Sequence, residues 1–371
     1  MLAVDLTTFR HANELQTGIG IYAVDLLDQL CHHYHYELAI ILRQCVMTEV
    51  QQHYPDAVIV PVADTGLPLN EQIVRFYKIP QTIKKLYHTY HIDGLFIPRY
   101  SAYSYISKQI PTVATMHDVD FIYSSSMKNK IRKYLISRSC VRTKNIVAIS
   151  QYVKGDILRC FPQLSSHQVK VIYNHIPCPS LREVGTIPQN IKRSYILCVN
   201  SFKPSKNHIT LLRAYQKIQS SINMDLVLIG YGDTAQVKKA ISEMGLGSKV
   251  HILQNVSDED MQAFYHHASL FVDTSTFEGF GRTPVEAAMY GLPVITSKDT
   301  SLYEVTQGLL EYYEPSNDDN ALASKILQVV NGDVDYSAKR IQSIKDQYTQ
   351  VYGLEKTSEI YAELFHKDFG C

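Results

Sequence analysis

The sequence predicts two α/β halves of similar size, each built on a parallel sheet, joined by a stretch without regular structure. Three observations carry this reading. Short apolar, β-branched runs alternate with longer amphipathic stretches, which is the rhythm of βα units and parallel sheets. The rhythm pauses over 174–194, where Pro177, Pro179 and Pro188 stand among polar residues with no clear period, and then restarts. The length, 371 residues, is long for one compact domain and comfortable for two.

In the first half, strand-like runs fall at 2–6, 38–42, 57–62, 94–97, 112–115, 145–149 and 170–173. Helical patterns lie between them at 19–30, 71–90, 129–142 and 151–160. After the pause come strands at 195–199, 225–229, 250–253, 270–273 and 293–296, with a helix at 209–219. The last stretch, 352–365, spaces Tyr, Leu, Ile and Phe as a helix does. The expected division is 1–180, 181–350 and a closing segment 351–371. Ligands of open α/β sheets bind beyond the carboxyl ends of the strands. Functional motifs are therefore expected in loops after strands, facing a cleft between the halves.

Lys+Arg and Asp+Glu both total 36, so no global charge points to nucleic acid. Residues 1–180 hold 18 basic and 13 acidic groups and 181–371 hold 18 and 23, an asymmetry that suggests a different partner for each half. The seven Cys are scattered without a C-x-x-C pair, which indicates neither a metal ribbon nor a disulfide framework and fits a reducing cytosol. The opening Met1-Leu2-Ala3-Val4-Asp5 reads as a strand, not as a signal sequence. No apolar stretch approaches the ~20 residues of a spanning helix. A cytoplasmic protein, with at most a peripheral membrane attachment, is expected.

The strongest motif follows the strand at 270–273: Glu278-Gly279-Phe280-Gly281-Arg282-Thr283-Pro284-Val285-Glu286, leading into a helix that ends at Gly291. Gly279 and Gly281 permit close backbone approach to a ligand. The amides at the helix start, about Arg282 to Val285, suit a diphosphate. Carboxylates beside such an anion are repelled unless they accept hydroxyl hydrogen bonds, and sugar and ribose hydroxyls are the natural donors. Glu286 has a second reading: Thr283 as N-cap, Pro284 at the first helical position and Glu286 at the third would form a capping box. Glu278 has no comparable structural explanation.

The Glu278-x7-Glu286 segment resembles the donor-site signature of glycosyltransferase family 4 and its GT-B relatives, in particular a bacterial mannosyltransferase-like and rhamnosyltransferase-like subgroup. The resemblance spans nearly the whole chain. It implies two Rossmann-like domains with parallel sheets facing a central cleft, and a final helix that crosses back to the first domain. It also implies that Glu278 contacts hydroxyls of the transferred sugar and that Glu286 holds the nucleotide ribose.

Further segments take meaning from this resemblance. After the strand at 195–199, Asn200-Ser201-Phe202-Lys203-Pro204-Ser205-Lys206-Asn207-His208 resembles the family's phosphate-gripping loop, with Lys206 as its lysine. Many relatives carry an Arg where Ser201 stands, so Lys203 or Arg282 is expected to supply the second charge. Thr17-Gly18-Ile19-Gly20-Ile21-Tyr22-Ala23 fits a dinucleotide fingerprint, but about ten residues separate it from the first strand. It reads better as a glycine loop, Gly18 and Gly20, covering the donor from the first domain, or as a plain helix start. His117 in Met116-His117-Asp118-Val119-Asp120 resembles the family's cleft-lining His; its alternative is a strand-end His satisfied by backbone. The Asp118-x-Asp120 pair invites a metal, and no metal site is expected. Gln254-Asn255-Val256 is the loop expected to contact base and sugar, with Val256 as donor-binding.

The stretch 128–144 carries Lys128, Lys130, Arg132, Lys133, Arg138, Arg142 and Lys144 with no acid. Ile131, Tyr134, Leu135 and Val141 would give it an apolar face. Such a helix can lie on anionic lipid or hold a phosphorylated acceptor, or be a solvated face of a core helix. The expected function is retaining transfer of a sugar from GDP-mannose or another nucleoside-diphosphate hexose to a glycan or lipid-linked acceptor in cell-surface polysaccharide synthesis, with no obligatory cofactor. The rivals are a nucleotide-sugar epimerase, a dehydrogenase and a catalytically silent partner subunit.

Overall fold

A computed structural model describes residues 1–62, 78–101, 104, 106, 109–119, 126–179, 185–191 and 194–370. The chain divides into two units, Met1–His175 with Leu354–Cys371, and Ile176–Gly353. The sequence had suggested boundaries at 180/181 and 350/351. Part of the expected linker belongs to a compact unit: Thr186 donates through its N–H (2.7 Å) and its hydroxyl (3.3 Å) to Asp260, so 185–191 are folded against the second unit.

The first unit runs β1 (Leu2–Asp5), α1 (Gly18–His32), β2 (Leu38–Arg43), α2 (Met47–His53), β3 (Val58–Val62), α3 (Ile79–Tyr90), β4 (Gly94–Ile97), β5 (Thr112–Met116), α4 (Met127–Cys140), β6 (Asn145–Ala148), α5 (Gln151–Cys160) and β7 (Val169–Val171). Its seven strands are all parallel, in the order β3-β2-β1-β4-β5-β6-β7. Every residue of β1, β2, β4, β5 and β6 is buried, as expected for strands covered on both faces. The helix expected over 71–90 is described only from Ile79; 71–77 lie outside the described residues. The helix expected at 129–142 begins two residues earlier because the Ser126 hydroxyl caps it, accepting from the Asn129 N–H.

The second unit runs β8 (Tyr195–Val199), α6 (His208–Ile218), β9 (Asp225–Ile229), α7 (Ala235–Glu243), β10 (Val250–Leu253), α8 (Asp258–His267), β11 (Leu270–Val272), α9 (Arg282–Met289), β12 (Val294–Ser297), α10 (Leu302–Val305), β13 (Glu311–Tyr313), α11 (Asp319–Val330) and α12 (Ala338–Tyr352). Its six parallel strands are ordered β10-β9-β8-β11-β12-β13. The sequence reading missed β13, whose three residues, Glu-Tyr-Tyr, carry no aliphatic run. In both sheets the order reverses beside the first strand, β1 or β8, which is the doubly wound Rossmann-like winding.

The last helix, α13 (Leu354–Phe369), belongs to the first unit. Tyr361, Leu364 and Phe365 join the core formed by Leu27, Leu30 and Phe96. The Tyr22, Thr115 and Tyr361 hydroxyls close a buried triangle: Tyr22 to Thr115 is 3.1 Å, Thr115 to Tyr361 2.8 Å and Tyr22 to Tyr361 2.5 Å. Gly94 is required here, since a Cβ on it would lie 2.3 Å from the Phe369 ring. Tyr361→Phe strips two buried hydroxyls of a partner. It should cost about 1–2 kcal/mol and lower the first unit's melting temperature by several degrees in calorimetry.

Candidate functional site

Two loops of the second unit are sewn together at the carboxyl ends of β8 and β11. From the β11 loop, Thr274 donates to the Lys206 carbonyl (2.9 Å), and Thr276 donates to Ser205 through its N–H (2.8 Å) and hydroxyl (3.1 Å). The Asn200 side chain, at the end of β8, donates to buried Asp273 at 3.0 Å. β8 and β11 are neighbours at the point where strand order reverses, so these loops occupy the sheet's switch point, where α/β sheets bind ligands.

This stitching brings Lys206 and Glu278 into an ion pair, with Nζ donating to Oε1; the side chains are 14% and 16% exposed. The Glu278 backbone is fixed on both sides. Its N–H donates to Thr300 Oγ1 (2.9 Å), and its carbonyl accepts from Ser301 Oγ (2.9 Å). Burial pushes the Glu278 carboxyl above the usual carboxylate range; Lys206 pulls it back and Asp273 pushes it further up. Burial outweighs the neighbouring cation, so the ionised carboxylate is held at a cost. Carboxyls perturbed in this way by burial and a specific charge concentrate at functional sites.

The start of α9 corrects the sequence reading. Helical geometry begins at Arg282, with Gly281 as the N-cap at φ 86°. Thr283 is thus the second helical residue, Pro284 the third and Glu286 the fifth, and no capping box forms. The Thr283 hydroxyl points to Asp273 at 3.5 Å. Glu286 accepts from the Arg282 guanidinium (2.9 and 2.7 Å) and from the Tyr265 hydroxyl (3.3 Å). Pro284 contributes no N–H, so the amides of the opening turn come from the residues before it. Gly281 has no substitute: besides its positive φ, a Cβ would lie 2.5 Å from Leu302. Phe280 is buried behind this loop, edge-on to Tyr352 at 5.6 Å.

The remaining loop residues divide by what their side chains do. Lys203 is exposed and has no ion pair among the described residues, whereas Arg282 is already held by Glu286. Ser201, standing where an Arg was looked for, is buried. Asn207 is the left-handed N-cap of α6 (φ 52°); its amide donates to Ser316 and its Oδ1 accepts from Thr210. Its side chain therefore serves the loop. His208 is buried with Nε2 lacking a partner, and burial holds it down to about 4.

Val256 lines a cavity of about 500 Å³ with Gln254, Asn255, Thr186, Pro188 and Phe264, beyond the end of β10. Lys206 and Glu278 do not line it. β10 is two strands from β8 in the sheet, about 10 Å at ordinary strand spacing. The cavity and the ion pair thus occupy two stations along one sheet edge.

Gly18, Gly20 and His117 belong to the first unit. Gly18 opens α1, behind Thr17, whose hydroxyl donates to the Glu14 carbonyl at 2.7 Å. A Cβ on Gly20 would lie 2.3 Å from that same carbonyl, so the glycine is needed for the turn Ala12–Gln16 to pack on the helix. His117, at the end of β5, donates through Nε2 to the Pro98 carbonyl (2.8 Å) and stands edge-on to Tyr22 at 5.0 Å. Burial lowers it to about 4, against the pull of the Pro98 bond and with Arg99 adding to the fall. The imidazole is therefore neutral at physiological pH, and with the proton on Nε2 its Nδ1 is an acceptor. Asp120 lies outside the described residues.

Sequence reasoning missed the residues that build the site rather than line it: Asp273, Thr274, Thr276, Thr300, Ser301 and Tyr265. The one usable signal was the Asp-Thr-Ser-Thr run after β11. It also read Thr186 and Pro188 as linker, although they form a cavity wall.

The doubly wound units and the paired switch-point loops define the chain as a GT-B protein. The profile "Glycosyl transferases group 1" matches residues 185–347 and "Glycosyltransferase Family 4" matches residues 17–178. The chain belongs to this glycosyltransferase family. It is 30% identical over 208 residues to O-antigen chain mannosyltransferase RfbU of Salmonella typhimurium, covering 55% of this chain and 57% of that protein. It is also 30% identical over 236 residues to O-antigen chain mannosyltransferase B of Escherichia coli, covering 60% and 61%. The chain thus spans about three-fifths of the length of the curated relatives it matches. The crystal structure of a glycosyltransferase from Rickettsia africae superposes with a TM-score of 0.74 at 18% identity, over 99% of this chain and 97% of that one.

Removing one partner of a part-buried ion pair leaves an uncompensated charge. Lys206→Ala should lower the second unit's melting temperature, and adding Glu278→Gln should restore part of the loss. If the double variant melts below Lys206→Ala, the pair is not organised in this way. Acid should also weaken the fold. His117 and His208 titrate near 4 when folded, against an ordinary value of 6.5, so the unfolded chain binds more protons between those limits. Stability present above pH 6.5 is then lost as pH falls toward 4. Each His contributes on the order of 3 kcal/mol at the limit, and the double variant His117→Asn/His208→Asn should flatten the melting-temperature profile over that range.

Proposed function

We propose that this protein is a retaining glycosyltransferase that moves a hexose from a nucleoside diphosphate to a hydroxyl of a glycan or lipid-linked acceptor. The second unit holds the donor and the first unit receives the acceptor. The observation that carries the reading is the part-buried Glu278 carboxylate, held against Lys206 where the β8 and β11 loops meet. Each group satisfies the other. With donor bound, Lys206 turns to the diphosphate and Glu278 is released to accept from sugar hydroxyls, while Glu286 offers its carboxylate to the ribose.

The other elements have matching parts. The opening turn of α9 presents N–H groups and the positive end of the helix to the diphosphate. Lys203, exposed and unpaired among the described residues, is the better candidate than Arg282 for the second phosphate charge. The cavity beside Val256 receives the base, beyond the end of β10 on the same sheet as the Lys206 loop.

The bond from the anomeric carbon to the diphosphate oxygen breaks as the acceptor oxygen bonds to the same face of that carbon. The acceptor's proton passes to the departing phosphate oxygen. Lys206, Lys203 and the helix start stabilise the growing phosphate charge, the preorganised electrostatics that usually dominates. This scheme uses neither a protein nucleophile nor an obligatory metal. Similarity to O-antigen mannosyltransferases favours GDP-mannose as donor and a step of surface-polysaccharide assembly at the inner face of the cell membrane.

A thermal-shift series with GDP-mannose and with UDP- and dTDP-sugars should show GDP-mannose stabilising the second unit most. Glu278→Gln and Lys206→Ala should each lower kcat/KM at least about tenfold, ~1.4 kcal/mol of transition-state stabilisation. Near-normal turnover in both variants would overturn the assignment. NMR of the product's anomeric configuration tests retention.

A further inference from the structure

We propose that the first unit carries a second saccharide site, a cavity between the end of α1, the start of β2 and α13 that grips a neutral stretch of glycan. The inference takes from the proposed function only that a glycan is handled. It does not depend on the donor site, which belongs to the other unit.

The cavity, about 570 Å³, is walled by residues 34–37 and by α13 from Ala362 to His366. Its volume falls in the range of small-molecule sites, roughly 300–1,000 Å³. It lies where β1 and β2 begin. The strands are parallel, so this is the edge of the sheet away from His117, which follows the end of β5. β2, with six residues, puts about 20 Å between the two edges.

The wall is held in place without a ligand's help. The Tyr36 N–H donates to the Leu30 carbonyl at 2.9 Å, and the Tyr36 ring stands edge-on to Phe365 at 6.3 Å. Between Tyr34 and Tyr36 the chain turns at His35 with φ 56°, a left-handed conformation that glycine or asparagine usually takes. An imidazole is thus kept on the wall in spite of a strained backbone, as happens where the side chain has a use.

The lining chemistry selects the ligand. Tyr34, His35, Tyr36 and His366 supply rings, Glu37 and Glu363 supply carboxylates, and no Lys or Arg lines the cavity. The Met1 amino group is paired with Asp93 at 2.6 Å. Lys356, which feels Glu363, is paired with Glu359 at 2.7 Å. A phosphate, a nucleotide or an anionic headgroup therefore finds no free cation among these groups. A pyranose ring finds what it needs: aromatic faces for its C–H side, and carboxylates that accept from its hydroxyls. Glu37 is exposed and makes no ion pair among the described residues. The tyrosine hydroxyls and imidazole N–H groups donate in return, and a sugar hydroxyl both gives and accepts. An organic cation would use the carboxylates and leave those donors unmatched. A second grip on the same glycan makes the encounter at the reaction edge intramolecular, which favours a long glycan over a short one.

The sequence has no tryptophan, so Tyr34→Trp places a single fluorescent reporter in the wall of the full chain. Titration with neutral α-mannotriose should change its emission saturably in the millimolar range, and inorganic phosphate and choline should not. Saturation-transfer NMR on the unaltered chain should show transfer to the same trisaccharide. Glu37→Gln/Glu363→Gln, at two exposed positions, should weaken binding by about tenfold or more and keep the parent's melting temperature. Glu278→Gln should bind the trisaccharide as the parent does, so a failed donor assignment leaves this result standing. The proposal is overturned if the parent shows no transfer, if the double variant binds as tightly as the parent, if Glu278→Gln abolishes binding, or if choline moves the reporter and the trisaccharide does not.

Discussion

In the second unit β9 and β10 lie on one side of β8, and β11, β12 and β13 on the other. The chain therefore leaves β8 toward one edge of the sheet and leaves β11 toward the other. Two loops part at one place and a crevice opens between them. The junction of the Lys206 and Glu278 loops follows from that reversal. The helices that begin after these loops, α6 and α9, both start at the crevice. The Thr and Ser side chains of 274–276 are satisfied across it rather than by solvent.

The ion pair stands where the two loops meet. Lys206 and Glu278 are each largely withdrawn from water, and each would be costly there alone. Paired, they are tolerated. The same logic holds one helix turn on, where Arg282 and Tyr265 occupy the Glu286 carboxylate. The site is thus electrostatically complete but made of contacts that a more highly charged ligand can replace.

The first unit is organised around α13 instead. Its hydroxyl triangle with Tyr22 and Thr115 ties the end of the chain to α1 and β5, the elements that also carry Gly20 and His117. Tyr22 stands between two imidazoles, edge-on to His117 and stacked on His175 at 6.0 Å, so the His117 ring is oriented by the same packing that anchors the last helix.

The sequence by itself determined the two α/β units and most strand positions, and its contiguous motifs singled out Lys206, Glu278 and Glu286 as candidates. Continuous aliphatic runs are a local property of doubly covered parallel strands, and the glycine-rich Glu278-x7-Glu286 segment is contiguous. Tertiary structure decided the partners. That Glu278 pairs with Lys206, 72 positions away, depends on the hydrogen bonds that join the β8 and β11 loops, and that Glu286 is held by Arg282 and Tyr265 instead of capping its helix depends on where the chain turns at Gly281. Likewise the basic stretch at 128–144 showed its charge in sequence. Only burial of Ile136 and Cys140 fixed the rotation of the helix and so which apolar residues face outward.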